Sequence, residues 1–398
     1  AWAGVGDGTD GPALSDRFWA ALARFVMRRP VVTAVPVLAF LVALGSPFLH
    51  VRLSSPDASI LPASVESRRA LDVLQSQFEG GDSSPILVAI ELTRDALDPA
   101  SLATLYSFTQ RVQADPRVGG VTSVVTLDPR LTLAQYQILY DDPSRITDQY
   151  ARMAATQLAA GKVTLVEIMS PAAPSSEEAK GLVRDVRAMA RDYPMVVEVD
   201  GAAAQIDDEV ARLYDEFPRA LAFILVTTYV VLLLLLRSVI LPLKALVMNT
   251  LSIAGAYGAL VFVFQDGHLS GLLRFAPLGY VEATLPILMF CTLFGLSMDY
   301  EVFLLTRVQE AYLRTGENAA SVAEGMQRSG RIITSAAAIV VLIAGSFVLA
   351  GVILIKALGL GIAIAVLLDA TVVRALLVPA TMRLLGRLNW WAPAWLRP

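Results

Sequence analysis

Cysteine, histidine and charge are all scarce in this chain, and each shortage closes off a class of function. Cys291 is the single cysteine in 398 residues, so no internal disulfide can form. With only His50 and His268 beside it, a His/Cys zinc centre is disfavoured, and no metal or organic cofactor is expected. Charged residues make up 17% of the chain, below the roughly 25% typical of soluble globular proteins. The polar middle of the chain carries no nucleophile elbow, no Gly-rich phosphate loop and no metal-spaced ligands, which disfavours an enzyme. The formal net charge of −4 says little, because the basic residues are unevenly spread, and no nucleic-acid partner is expected.

What the chain has in quantity is apolar sequence, at 55% of residues. Apolar runs cover 31–49, 221–236, 239–264, 285–305, 332–349 and 358–379. At roughly 20 residues per helical span they make about six membrane spans. Residues 1–14 are rich in Gly and Asp and resemble a linker, and a short amphipathic piece with Arg17, Arg24, Arg28 and Arg29 follows. Basic residues ahead of the first span place the N-terminus in the cytoplasm. A signal peptide is the rival reading, but the run 31–49 exceeds the usual h-region of about 7–15 residues, and an uncleaved span is expected. Alternating sides puts Arg237, the charged stretch 307–331 and the tail with Arg383 and Arg387 inside, leaving Arg274 and Lys356 in the outside connections. That asymmetry follows the positive-inside rule. The chain begins at Ala1 without a methionine and is expected to be a processed or truncated piece, or the tail of something longer.

The segment between the first and second spans has no run long enough to cross a bilayer, and it is large enough to bury its own core. Strands are expected at 86–92, 118–126, 162–170 and 195–199, with helices at 101–114 and 175–193 and a polar helical insertion over 131–160. Ser175, Ser176, Glu177 and Glu178 supply N-terminal capping character to the second helix. The order β-α-β, insertion, β-α-β is that of a split βαβ, ferredoxin-like α+β unit. The expected organisation is a cytoplasmic N-terminal piece (1–30), a first span (31–50), an extracytoplasmic domain (51–216), a five-span bundle (217–382) with a cytoplasmic helix at 307–331, and a cytoplasmic tail (383–398).

Within this frame Asp299 stands out. It lies about six residues, or roughly 9 Å, inside the end of an apolar run. A charge at such depth costs at least about 2.5–3.5 kcal/mol, and aspartate is too short to reach the interface from there. Asp299 is therefore expected to face other helices or a hydrated cavity, as a carboxyl that loads and releases a proton. Tyr300 points about 100° away from it, so the two need partners on other helices. Glu301, nearer the boundary, is expected at the cytoplasmic surface. Asp369 and Arg374 in the last span form either a structural ion pair or part of a relay. Ser335, ahead of Ala336, Ala337 and Ala338 at the depth of Asp299, can hydrogen-bond across helices or to its own backbone.

Three stretches carry a family resemblance: Gly-Leu-Ser-Met-Asp-Tyr-Glu-Val-Phe-Leu-Leu-Thr-Arg at 295–307, Gly-Arg-Ile-Ile-Thr-Ser-Ala-Ala at 330–337, and Leu-Leu-Asp-Ala-Thr-Val-Val-Arg at 367–374. Leu385-Gly386, Asn389-Trp390-Trp391-Ala392-Pro393 and the weaker Asp57-x-x-x-Leu61-Pro62 accompany them. With these the chain resembles the MMPL family (mycobacterial membrane protein large) of the RND transporter superfamily, specifically its C-terminal half. The resemblance implies a proton-driven exporter of lipids or hydrophobic small molecules in the bacterial plasma membrane, built from two halves. Each half has one span, a porter domain and five spans. It also implies that Asp299 and Tyr300 form one half of a crossed Asp-Tyr proton relay, whose other pair stands on the N-terminal half. Protons would be the coupling ion, and the partners would be membrane lipids, the lipid or hydrophobic substrate, and a homologous N-terminal half or a homodimer mate. Two alternatives share the topology: a protein-translocation accessory like SecD and SecF, and a non-transporting lipid sensor like sterol-sensing domains.

Overall fold

A computed structural model describes residues 14–56, 58–77, 84–142 and 146–393. Residues 1–13 of the expected linker, Asp57 of the weakest motif, and Trp395 in the tail lie outside them. Two compact units emerge: one runs to Leu53 and resumes at Asp215, and the other covers Ser54–Tyr214.

The first unit is helical. It contains α1 (Leu14–Arg28), α2 (Pro30–Gly45), most of α8 (Ala202–Leu236), α9 (Ile240–Leu260), the short α10 (Ser270–Leu273), α11 (Thr284–Thr315), α12 (Asn318–Ser346), α13 (Ile353–Leu367) and α14 (Val378–Leu385). Among the described residues, six helical stretches are long and apolar enough to cross a membrane. This is a multi-pass membrane protein. Of the six, the stretch over α9 is the most enclosed, with α2, α11 and α13 packed around it. Its approach to α2 depends on a missing side chain: a Cβ on Gly258 would stand 1.9 Å from the Leu44 carbonyl oxygen. The α8–α9 connection is as tight as expected. Arg237 takes a left-handed φ of 45°, and the Ser238 hydroxyl donates to the Asn389 carbonyl at 2.5 Å.

One expected element is absent. The charged stretch 307–331 is not a separate cytoplasmic helix but the ends of α11 and α12, which run on beyond the apolar core. Gly316, at φ 69°, breaks them apart by closing α11 with a left-handed cap. The tail also packs. Asn389 is buried and donates to the Met382 and Gly386 carbonyls at 2.8 Å, while Trp390 stacks on Tyr312 and donates to Asn318 Oδ1.

The second unit holds α3 (Glu66–Gln77), β2 (Ile86–Leu92), α4 (Pro99–Gln113), β3 (Gly120–Thr122), α5 (Leu133–Tyr140), α6 (Gln149–Gln157), β4 (Ala159–Ala160), β5 (Val163–Met169), α7 (Glu177–Ala190) and β6 (Met195–Asp200). Two-residue strands β1 (Leu53–Ser54) and β7 (Val281–Glu282) stand outside its sheet. Strand order is β3-β5-β2-β6, with every pair antiparallel and β4 added to β5. Alternation places Ile86, Val88, Ile90 and Leu92 of β2 inward, with Val166 and Ile168 of β5 in register against Val88 and Ile86. Those side chains share one core with Leu102, Leu105 and Phe108 of α4 and Leu182, Val183 and Val186 of α7. Asp98 and Ser176 cap the two helices by accepting from Ala100 N and Ala179 N. The strand expected over 118–126 shortens to β3 because Ser123 and Thr126 close a local turn: Ser123 N donates to Thr126 Oγ1 at 2.8 Å. The sequence reading missed α3, whose polar composition gives it few apolar positions to mark a period.

Candidate functional site

The centre of the helical unit holds charge. Asp369 and Arg374 are 8% and 4% exposed, and Arg374 Nη2 donates to Asp369 Oδ2 at 2.6 Å. Five residues apart on an α-helix, the two would point about 140° from each other. Between Leu368 and Leu377 the chain instead winds as a π-helix, whose i→i+5 hydrogen bonding brings residue i+5 over residue i. The wider winding makes the ion pair possible.

Ser297 of α11 completes a triangle. Its hydroxyl donates to Asp369 Oδ2 at 2.5 Å, and its carbonyl and hydroxyl oxygens accept from Arg374 Nη2 at 2.6 and 3.1 Å. One turn along the same face, Glu301 is 4% exposed, with Oε2 3.9 Å from Arg374 Nε. Lys244 of α9 is buried within electrostatic reach of Glu301. Two cations and two carboxylates thus share an interior with no excess charge.

Hydrogen bonding there is incomplete. Lys244 Nζ, Asn249 Nδ2, Glu301 Oε1 and Arg374 Nε are buried with no hydrogen-bond partner. Each such group costs about 1–3 kcal/mol, or more if charged. A cleft of about 10 Å³ lined by Asn249, Ser297, Tyr300, Asp369 and Arg374 has room for about one water. Spare donors, spare acceptors and space for water make proton movement chemically feasible there.

Asp299 itself lies elsewhere. Because α11 buries Ser297, Met298, Glu301, Leu304 and Leu305, Asp299 falls on the opposite side, about 200° from both Ser297 and Glu301. It is exposed at the surface of this chain and makes no hydrogen bond or ion pair among the described residues. Tyr300, half-buried, bridges the two faces: the Arg374 guanidinium carbon sits 5.2 Å from its ring centroid. Gly295, one turn before Asp299 on the same side, has nothing among the described residues within 4 Å of where a Cβ would stand.

Three expectations change. Glu301 is not at the cytoplasmic surface but buried beside Arg374, because it shares the inward face of α11 with Ser297. Ser335 is exposed on α12 and takes no part in the cluster, although Ala337 lines the cleft. Lys356, expected in an outside connection, is buried and donates to the Leu273 and Val348 carbonyls at 2.7 and 3.0 Å. Sequence reasoning overlooked Ser297, Lys244 and Asn249. Lys244 was detectable as an ionisable residue interrupting an apolar run. The i, i+4 spacing of Ser297 and Glu301 also marked one helix face.

A profile of the MMPL family matches residues 59–397. A membrane protein of Streptomyces coelicolor, SCO6666, is 36% identical over 387 residues, covering 97% of this chain and 48% of that protein. The trehalose monomycolate exporter MmpL3 of Mycolicibacterium smegmatis is 31% identical over 380 residues, 96% of this chain and 35% of the exporter. The mycolic acid-containing lipids exporter MmpL11 of the same organism is 33% identical over 386 residues, 96% of this chain and 37% of its own length. This chain therefore spans between about a third and a half of the relatives it matches. Members of the family are transporters rather than enzymes, and by both the extent of the match and its motifs this chain belongs to the MMPL family.

Proposed function

We propose that this chain is the C-terminal half of a proton-driven exporter of lipids or hydrophobic small molecules in the bacterial plasma membrane. The observation that carries the reading is the split placement of α11: Ser297 and Glu301 face a buried charge cluster, and Asp299 faces away from it. A carboxylate at that depth needs a partner, and the open side of α11 is where a second half would supply one. In this reading Asp299 loads a proton from across that interface. Tyr300, in contact with Arg374, passes the change in charge to the Asp369–Ser297–Glu301 cluster. One proton crossing 100 mV releases about 2.3 kcal/mol, which biases a two-state helix packing by roughly fifty-fold.

Residues 51–216 are read as the extracytoplasmic porter domain and both termini as cytoplasmic. The β3-β5-β2-β6 order, with α4 and α7 as the two crossovers, supports a ferredoxin-like split βαβ unit for that domain. The named exports of two relatives, trehalose monomycolate and mycolic acid-containing lipids, support a lipid-like substrate.

The test is Asp299→Asn in the full-length protein, assayed for substrate export and for proton uptake in reconstituted vesicles. Export and proton uptake are expected to be lost together, with membrane insertion unchanged. Export at the parent rate would refute the relay, and lipid binding without any proton-dependent movement in the parent would favour a sensor instead.

A further inference from the structure

A second cavity of the helical unit shares no lining residue with the cleft at the charge cluster. It is an open groove of about 930 Å³ between α1, α12 and α14. Arg24 and Arg28 of α1, Arg328, Glu324 and Gln327 of α12, and Arg383 of α14 line it. The one carboxylate among its described lining residues is already engaged, since Glu324 pairs with both Arg314 and Arg328. Arg24 donates its Nε to the Ala20 carbonyl of its own helix. Arg28 and Arg383 have no carboxylate partner among the described residues. The groove therefore offers a surplus of positive charge over a small-residue floor that includes Ala20 and Ala323.

The other face of α1 is apolar and uncovered. Ala20, Ala23, Val26 and Met27 turn inward, with Trp19 against Gly330, where a Cβ would meet the indole at 2.4 Å. Phe18 and Phe25, two turns apart on one side, are 59% and 73% exposed. Arg28 follows Phe25 by about one turn, and the first membrane-spanning helix opens at Pro30. Exposed aromatics directly ahead of a span, flanked by arginines, are the composition of a helix lying in the membrane interface.

We propose that this groove binds the phosphate of an anionic phospholipid of the membrane. Arg28 and Arg383 hold the headgroup, and Phe18 and Phe25 lie along the acyl chains. The lipid would tie α1 and α14 to α12, the helix that carries Ala337 to the charge cluster. The proposal takes only the cytoplasmic placement of α1 from the reading above. Its test measures lipid retention rather than export, so either can fail without the other.

The experiment compares dioleoylphosphatidylglycerol with dioleoylphosphatidylcholine binding to the purified full chain in detergent, by native mass spectrometry. The glycerol lipid should bind at least about tenfold more tightly, as expected for two arginines on an anionic headgroup. The double substitution Arg28→Gln with Arg383→Gln should abolish the preference, while Arg387→Gln, outside the groove, should keep it. Millimolar inorganic phosphate should displace little lipid. Equal binding of the two lipids by the parent chain would overturn the proposal, and that comparison needs no variant to fold. A double variant that kept the preference, or full displacement by free phosphate, would also overturn it.

Discussion

Arg374 Nη2 reaches Ser297 and Asp369 at the same time, accepted by the Ser297 carbonyl oxygen and by Asp369 Oδ2, each at 2.6 Å. One guanidinium thus locks α11 to the π-helical stretch of the last span. Nη2 alone serves these acceptors, while the planar guanidinium fork lies with its carbon 5.2 Å from the Tyr300 ring centroid.

Arg374→Ala leaves Asp369 and Glu301 buried without their shared cation, a loss expected to destabilise the chain by about 3–5 kcal/mol. Arg374→Lys restores the charge but not the fork. It should recover part of the thermal midpoint in detergent while export by the full-length protein stays low. An Arg374→Ala chain that melts at the parent temperature would show that the pair carries no such weight.

How far the sequence revealed this site depends on which coordinate is asked for. Position along the helix was legible: counting residues set Asp299 level with Ala336, Ala337 and Ala338, and Ala337 lines the cleft beside Tyr300. Direction around the helix was not. Glu301 and Asp299 are two residues apart and point to opposite sides, and only the packing of α9, α12 and α13 decides which side is interior. The partnership of Asp369 with Arg374 was visible as a pair of opposite charges. Its geometry was hidden, because π winding leaves no mark in composition. Ser335 was singled out and Ser297 overlooked although both are hydroxyls in a span, and contact with Asp369 is what distinguishes Ser297. In the sheet unit, period-2 alternation located β2 and β5 almost to the residue, since a half-buried strand carries its burial pattern openly.

The open side of α11 makes a prediction about size rather than charge. Gly295 and Asp299 are one turn apart, and nothing among the described residues comes within 4 Å of the missing Gly295 side chain. If a second half packs there, glycine permits its close approach. Gly295→Leu should leave the thermal midpoint of this chain unchanged or slightly higher, because leucine is the better helix former by up to about 1 kcal/mol. Export by the full-length protein should fall sharply. Normal export with leucine at 295 would mean that this face meets only lipid.

In the sheet unit, acid should loosen the fold at one identifiable point. Arg117 holds Asp115 through Nε at 2.9 Å and Nη2 at 2.6 Å, and reaches Asp185 of α7 at 2.6 Å. The hydrogen-bonded guanidinium keeps the Asp115 carboxyl below its ordinary value of 3.8. A folded-state value below the unfolded one stabilises the fold above about pH 4 and loses that contribution as pH falls through the folded value. Hydrogen-exchange protection of the segment between α4 and β3 should therefore decline below about pH 4. Asp115→Asn should weaken protection at neutral pH and flatten the decline. A parent-like acid profile in Asp115→Asn would assign the loss to other carboxylates.

Lys244 and Glu301 allow the charge balance to be tested directly. With Asp369 and Arg374 they form a buried set of two cations and two carboxylates, and Glu301 Oε2 stands 3.9 Å from Arg374 Nε. Removing either member alone leaves one uncompensated charge in a medium where such charges are poorly solvated. Lys244→Met and Glu301→Gln should each lower the thermal midpoint by several degrees. The double variant removes one charge of each sign and restores the balance, so it should recover most of the loss. A coupling of at least about 1 kcal/mol is expected between neighbours that share a network. Additive losses would mean that Lys244 acts independently of Glu301, and the cluster would then shrink to Ser297, Glu301, Asp369 and Arg374.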